Sequence, residues 1–266
     1  MRLATFNLMH GRSVRDGLVD PERLRKAAVT LDADVVGLQE VDRAQPRSGH
    51  ADLTAVVAEA LGATHSFFVP ALVGTPGETI RTATDADADG SHPLYGTALV
   101  SRWPVVEWRV ERLPGAPIRS PIVVPGRVMF LRDEPRVLVA AVVESPIGLM
   151  TVASTHLSFV PGWNVRQLRW VIRALRTMPA PRVLLADLNL PGRLASTFSG
   201  WRRLGRRPTY PSPAPKVQFD HVLLDPWGGA AVPSVTRVTT PDVPISDHRP
   251  LIVELSSGTV WDRTGG

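Results

Sequence analysis

The sequence predicts an α/β fold in which two β-sheets pack together with helices outside. Three observations carry that expectation. Strand-like segments outnumber helical ones, and between residues 95 and 155 they follow one another with no helix between them. Helical patterning is confined to two stretches in the first quarter of the chain and one near residue 170. The 266 residues suit one large domain better than two, and no linker or internal repeat interrupts them. A single domain over 1–256 with a tail over 257–266 is expected.

Residues 3–8 alternate as a first strand ending near Asn7. Asp20-Pro21-Glu22 is a helix start, with a cap, a proline at the first position and an acid in the first turn. Leu24, Ala27, Ala28 and Leu31 give that helix one apolar face. Residues 35–40 form a short buried strand ending in polar groups. A second helix covers 52–61 and stops at Gly62. Strand follows at 64–69, then a long loop over 70–93. Further strands fall at 95–101, 105–112, 128–131, 137–143 and 150–155. Asn164 is placed to cap a helix over 165–177, whose outer side carries Arg166, Arg169, Arg173 and Arg176. Strands at 183–186, 219–224, 234–238 and 251–255 complete the inventory.

Composition sets the chemistry available. Hydrophobic residues make up 44% and charged residues 21%, a globular balance. Cysteine is absent, which excludes disulfides, thiolate metal sites and a cysteine nucleophile. No apolar run nears the roughly 20 residues a spanning helix needs, so stable membrane insertion is not expected. Met1-Arg2 leads directly into Leu3-Ala4-Thr5-Phe6 without an apolar leader, and a cytoplasmic protein is expected. The net charge is +5, and all but Lys26 and Lys216 of the 30 basic residues are arginines. That excess invites an anionic partner but does not name one.

The polar residues that stand out lie at strand ends: Asn7, Glu40, His156, Asp187, Asn189, Asp220, Asp247 and His248. Groups at the ends of buried strands converge in a crevice at the sheet edge. Alternation points Asp187 and Asn189 the same way, a carboxylate beside a neutral amide. It turns His221 away from Asp220, so His221 reads as structural. Residues 85–90, Asp-Ala-Asp-Ala-Asp-Gly, begin like a calcium loop, but the twelfth position is Gly96 instead of glutamate. His10, His50, His65 and His92 lack metal-ligand spacing. Phe159 and Trp163 follow His156 and read as a wall or as core. Between Asp187 and Asp220 there are no acids, while Arg193, Arg202, Arg203, Arg206, Arg207 and Lys216 interleave with Trp201 and Tyr210. Arg202 and Arg203 are the candidate substrate-binding pair, either tracking a phosphodiester backbone or forming a solvated loop.

Seven short motifs stand in one order along nearly the whole chain. They are Thr5-Phe6-Asn7, Leu38-Gln39-Glu40-Val41, the run from Tyr95-Gly96-Thr97 to Ser101-Arg102, Ser154-Thr155-His156-Leu157, Ala186-Asp187-Leu188-Asn189, Phe219-Asp220-His221-Val222 and Ser246-Asp247-His248-Arg249-Pro250. With them the chain resembles the endonuclease/exonuclease/phosphatase superfamily, the DNase I-like fold, in its Thr-His-Leu branch. The resemblance implies a four-layer α/β/β/α sandwich of two mostly antiparallel sheets. It implies phosphate-ester hydrolysis with Mg²⁺ or Mn²⁺ by in-line attack of an activated water. Glu40 would be the principal metal ligand, assisted by Asn7, with Asp247 near the metal. Asp187 would activate or orient the water and Asn189 would hold the phosphate. His248, oriented by Asp220, and His156 would face the scissile group. An oxygen-rich set suits hard Mg²⁺, which uses one or two carboxylates and keeps several waters.

Two departures matter. Ala186 stands where the family usually has glycine. The family often supports its first histidine with a second acid, for which Glu78 is a weakly aligned candidate. The motifs leave the substrate open. Nucleic acid fits the basic charge best, with phosphoinositides, phospholipids or sphingomyelin as alternatives. A catalytically inactive nucleic-acid-binding or scaffold module is the reading of a different class.

Overall fold

The computed structural model describes residues 1–75, 78–89, 92–124, 127–225 and 234–256, and the expected tail lies outside them. The first half of the chain runs β1 (Arg2–Asn7), α1 (Pro21–Leu31), β2 (Val35–Arg43), α2 (Leu53–Leu61), β3 (His65–Val73), β4 (Arg81–Thr82) and β5 (Leu94–Ser101). Then come β6 (Val105–Leu113), β7 (Arg119–Val124), β8 (Arg127–Arg132), β9 (Arg136–Ser145) and β10 (Gly148–His156). The rest is α3 (Trp163–Leu175), β11 (Arg182–Asp187), α4 (Leu194–Ser199), β12 (Arg202–Arg203), β13 (Asp220–Leu224), β14 (Val235–Thr239) and β15 (Leu251–Leu255).

Two sheets result, of seven and six strands, ordered β14-β15-β1-β2-β5-β3-β4 and β12-β13-β11-β10-β9-β6; β7 and β8 pair apart as a hairpin. Each large sheet is antiparallel except for one central pair. β1 and β2 run parallel through α1, and β10 and β11 run parallel through α3. The helices cover the outer faces. Leu24, Leu31, Val57 and Leu61 pack on Phe6, Val36 and Leu38 of the first sheet. Leu168, Val171 and Leu175 pack on Leu138, Ala153 and Leu184 of the second. Leu3, Val35, Leu99, Val139, Val152, Leu185 and Val253 fill the space between the sheets. The order is helix, sheet, sheet, helix, a DNase I-like α/β sandwich.

Local chemistry explains the element ends. Asp20 accepts from the Glu22 N–H ahead of α1, and Asp52 accepts from the N–H groups of Thr54 and Ala55 ahead of α2. Gly62 closes α2 at φ 63°, in the left-handed region glycine adopts freely. Three expectations need correction. β3 runs through Pro70 to Val73, because the register shifts between Pro70 and Leu72 and a bulge tolerates the missing N–H. The 70–93 loop therefore contains the end of a strand, β4, and a short helical turn at Asp85–Asp89 whose Asp87 pairs with Arg81. The Asn164 cap is displaced too. α3 is capped at Gly162, and Asn164 sits inside the helix, its Nδ2 donating to Asn189 O at 3.0 Å. Finally α4 appears where the sequence shows no N-terminal cap, and buried Trp201 packs beneath it in the core.

The sheets meet closely below the strand ends. A Cβ at Gly37 would lie 2.8 Å from Leu185 Cβ and 2.9 Å from both Leu185 O and Ser154 Oγ. Beside it, Gln39 crosses the interface, donating to Ser154 Oγ at 3.1 Å and accepting from Thr5 Oγ1 at 3.2 Å. Gly37→Ala should therefore lower stability by about 1–3 kcal/mol, the usual cost of overpacking. A urea melt checks this, and an unchanged midpoint would refute the close approach.

Candidate active site

The two parallel pairs end at the same edge of the sandwich. Asn7 is the last residue of β1, and His156 and Asp187 are the last residues of β10 and β11. His156 pairs with Asp187 across one strand boundary, and Asp187 with Asp220 across the next, so the three side chains share a face. Glu40 reaches the same place by a different route. β2 shifts register between Leu38 and Val41, and Glu40 takes φ 52°. A left-handed conformation at a non-glycine residue is uncommon and clusters at functional sites. Here it re-aims Glu40 toward Asn7. Asn189, just past β11, is also left-handed at φ 48°.

Asp187 is the hub. Its Oδ1 accepts from Asn189 N–H at 3.0 Å, and its Oδ2 accepts from Asn7 Nδ2 at 3.0 Å. The Nε2 atoms of His156 and His248 stand 3.6 and 3.8 Å from the same Oδ2. Asn7 Nδ2 also donates to Glu40 Oε1 at 3.1 Å. Ser246 Oγ donates to Asn7 O at 2.7 Å and accepts from His248 N–H at 3.0 Å, pinning the 246–248 loop to the end of β1.

The two histidines carry opposite charge states. His248 Nδ1 donates to Asp220 Oδ2 at 2.8 Å. Burial alone would strip its proton, but the charge of Asp220, then of Asp187, pushes the imidazole up to about 10. It is an imidazolium at neutral pH. His156 meets Arg136 instead, whose Nη1 lies 3.1 Å from Nδ1. Burial first, and the Arg136 charge second, push His156 down to about 3. Arginine has no acceptor, so Nδ1 must be the unprotonated nitrogen and Nε2 carries the hydrogen. Asn189 Nδ2, 3.2 Å from that Nε2, is likewise a donor, and one of its hydrogens goes to Leu157 O at 3.0 Å. His156 Nε2 and Asn189 Nδ2 are thus neighbouring donors, and among the described residues no acceptor lies within hydrogen-bond reach of His156 Nε2.

Carboxylates surround that spot without a basic partner. Among the described residues no lysine or arginine lies within 4.0 Å of Glu40, Asp187, Asp220 or Asp247; their close pairings are to the two histidines. Burial pushes the Glu40 carboxyl up to about 7, against the Asn7 hydrogen bond and with help from the Asp247 charge. Asp247 is raised as well, again mainly by burial. Oxygens from Asp187 and Asp220 and a nitrogen of His248 lie within 4.8 Å of one another. The Asp220–His248 hydrogen bond uses one oxygen of that trio, and Asp220 Oδ1 is buried without a hydrogen-bond partner among the described residues.

The sequence model described as the endonuclease/exonuclease/phosphatase family matches residues 4–248. The chain belongs to that family. Solved structures agree on the fold. A family protein from Beutenbergia cavernae DSM 12333 is 24% identical with a TM-score of 0.65, over 96% of this chain and 71% of that one. A mannosyl-6-phosphatase from Bacteroides thetaiotaomicron VPI-5482 is 15% identical with a TM-score of 0.62, over 96% of this chain and 99% of that one. Sphingomyelinase C from Streptomyces griseocarneus is 16% identical with a TM-score of 0.57, over 95% and 98% of the two chains. No curated protein sequence matches.

Family members are generally phosphoesterases, typically dependent on a divalent metal, and the donor set here fits such an ion. The cluster offers carboxylate oxygens at Asp187, Asp220, Glu40 and Asp247, and a cation would relieve the raised carboxyls of the last two.

Of the residues singled out from sequence, Asn7, Glu40, His156, Asp187, Asn189, Asp220, Asp247 and His248 come together. Arg202 and Arg203 do not. They pair with Leu224 and Leu223, at the end of β13 away from Asp220 and about 13 Å along the strand. His221 is buried, with Nε2 on Leu190 O at 2.9 Å. Exposed Glu78 takes no part in the cluster. Trp163 bonds to Pro114 O at 3.0 Å rather than lining the site. Sequence reasoning missed Arg136 and the Tyr210 ring, 5.0 Å from that of His248. Arg136 opens β9, an apolar strand, and nothing in its local pattern marks it.

Arg136→Met keeps much of the bulk and removes the charge. His156 should then titrate above its present value of about 3, and its Nε2–H preference should relax. Nitrogen-detected NMR of the histidine rings reads both, and an unchanged His156 would exclude control by Arg136.

Proposed function

We propose that the protein is a metal-dependent phosphoesterase that hydrolyses its substrate by in-line attack of water, with a nuclease-type phosphodiester favoured. The observation that carries this reading is the cluster itself. Carboxylates with no lysine or arginine within 4.0 Å among the described residues face two neighbouring N–H donors and an imidazolium. Such a site is built to take a cation and an anion together.

Glu40, Asn7 and Asp247 would hold Mg²⁺ or Mn²⁺. When bound, the ion supplies Lewis-acid polarisation of a phosphoryl oxygen and offsets charge on the leaving oxygen. The remaining roles belong to the chain. Asp187, fixed through both oxygens by Asn7 and Asn189, orients the attacking water and accepts its proton. The His156 Nε2–H and the free Asn189 N–H receive a non-bridging phosphoryl oxygen. The His248 imidazolium, held by Asp220, stabilises charge as it builds on the phosphoryl group. No covalent nucleophile is needed.

A Mg²⁺-dependent panel tests this reading, with DNA, RNA, bis-p-nitrophenyl phosphate, an inositol polyphosphate and sphingomyelin as substrates. Glu40→Ala should abolish turnover and weaken Mg²⁺ binding; full activity would remove the metal assignment. His248→Ala should cost roughly 10²–10³ in kcat, the scale of a lost transition-state donor. Near-normal turnover would refute its role.

A further inference from the structure

Between Glu144 and Asp220 the sequence carries eleven arginines and lysines and a single acid, Asp187. Arg182 pairs with Asp225 at 2.7 Å. For the other basic residues of this segment, no carboxylate lies within 4.0 Å among the described residues, whereas most arginines elsewhere do have one.

The fold gathers these unpaired cations around α4. On one flank, Arg169, Arg173 and Arg176 stand on the exposed side of α3 and share a depression of about 290 Å³ with Phe198 and Ser199. On the other, Arg193, Arg202, Arg206, Arg207 and Lys216 line a groove of about 1200 Å³ that also includes Ser196 of α4. Arg203 lies deeper in that groove. Its Nε is buried without a partner, and burial, then the charges of Arg206 and Arg193, lower its proton affinity. Folding has thus pressed like charges together, with no carboxylate within 4.0 Å of them among the described residues. Gln218, which also lines the groove, accepts from Arg203 and donates to the main-chain Asp220 O at 3.1 Å.

We propose that this surface over α3, α4 and residues 202–216 is a docking track for the phosphodiester backbone of a nucleic acid, outside the catalytic cluster. The choice of ligand rests on the phosphoester reading above. Concavity argues against a lipid surface, which is met by protruding apolar side chains. The exposed apolar residues of α4, Leu194 at 41% and Phe198 at 38%, are less than half exposed. A polyanion that crosses both depressions would meet arginines on either side of α4, and arginine forks match phosphate oxygens.

The test is binding without metal, so that nothing is cleaved. Fluorescence anisotropy in EDTA would follow a labelled DNA oligonucleotide of roughly 30 nucleotides, single- or double-stranded, across a salt series. One variant carries Arg169→Gln, Arg173→Gln and Arg176→Gln; a second carries Arg206→Gln and Arg207→Gln. Each should bind roughly tenfold or more weakly, with the slope of log K against log salt falling by about 0.7–0.9 per lost contact. Turnover of bis-p-nitrophenyl phosphate should not change. Thermal melts check that each variant folds, and either variant alone suffices. Unchanged affinity and slope in a folded variant would overturn the proposal. So would arginine-dependent binding to phosphatidylserine vesicles without binding to DNA. A chain inactive on every phosphoester but binding DNA as described would sink the hydrolase reading and leave the track standing. Turnover of the small diester without DNA binding would do the reverse.

Discussion

Glu40, Asp187, Asp220 and Asp247 are drawn together with no lysine or arginine within ion-pair reach among the described residues. Much of the sandwich can be understood as the means of holding that arrangement. Parallel pairs in each sheet deliver their carboxyl ends to one edge. Gly37 and Gln39 lock the sheets together just below it. Ser246 ties the last loop to the first strand. Burial first, and the neighbouring carboxylates second, raise the Glu40 and Asp247 carboxyls.

Chemical asymmetry is obtained from a single residue type. His248 and His156 approach the same Asp187 oxygen at nearly the same distance. What separates them is the partner on the other ring nitrogen. Asp220 makes one a cation, and Arg136 keeps the other neutral with its hydrogen pointing inward. Groups whose surroundings push their pKa values apart mark the division of labour in many active sites. Here the contrast rests on Arg136 at one histidine and Asp220 at the other.

Most of the fold was legible because its cues are local. The Asp20 and Asp52 caps, the stop at Gly62 and the period-two strands each depend on a few neighbouring residues. The site residues were legible because polar groups at the ends of apolar strands are conspicuous. What escaped depends on distant contacts. The left-handed turn at Glu40 is a property of pairing between β2 and β5, not of its own side chain. Arg136 acts only through a histidine twenty residues away. α4 has no side-chain cap at its start and is held by packing on α3. The 202–207 arginines read as neighbours of Asp187 and Asp220, yet β12 carries Arg202 and Arg203 to the far end of β13.

The central claim is that the carboxylate cluster is incomplete until a divalent cation joins it, and thermal stability measured against pH with and without Mg²⁺ tests it most directly. A carboxyl raised from 4.5 to about 7 by folding favours the native state while protonated. Its contribution is full below about pH 4.5 and is lost as pH rises through 7. His248, raised to about 10, adds a decline of its own above pH 6.5, so the part reversed by Mg²⁺ is diagnostic. The metal-free protein should lose Tm between pH 5 and pH 8, millimolar Mg²⁺ should restore much of it at pH 8 only, and Glu40→Gln should abolish that rescue. A Tm at pH 8 that Mg²⁺ leaves untouched, or one rescued equally in Glu40→Gln, would contradict the account.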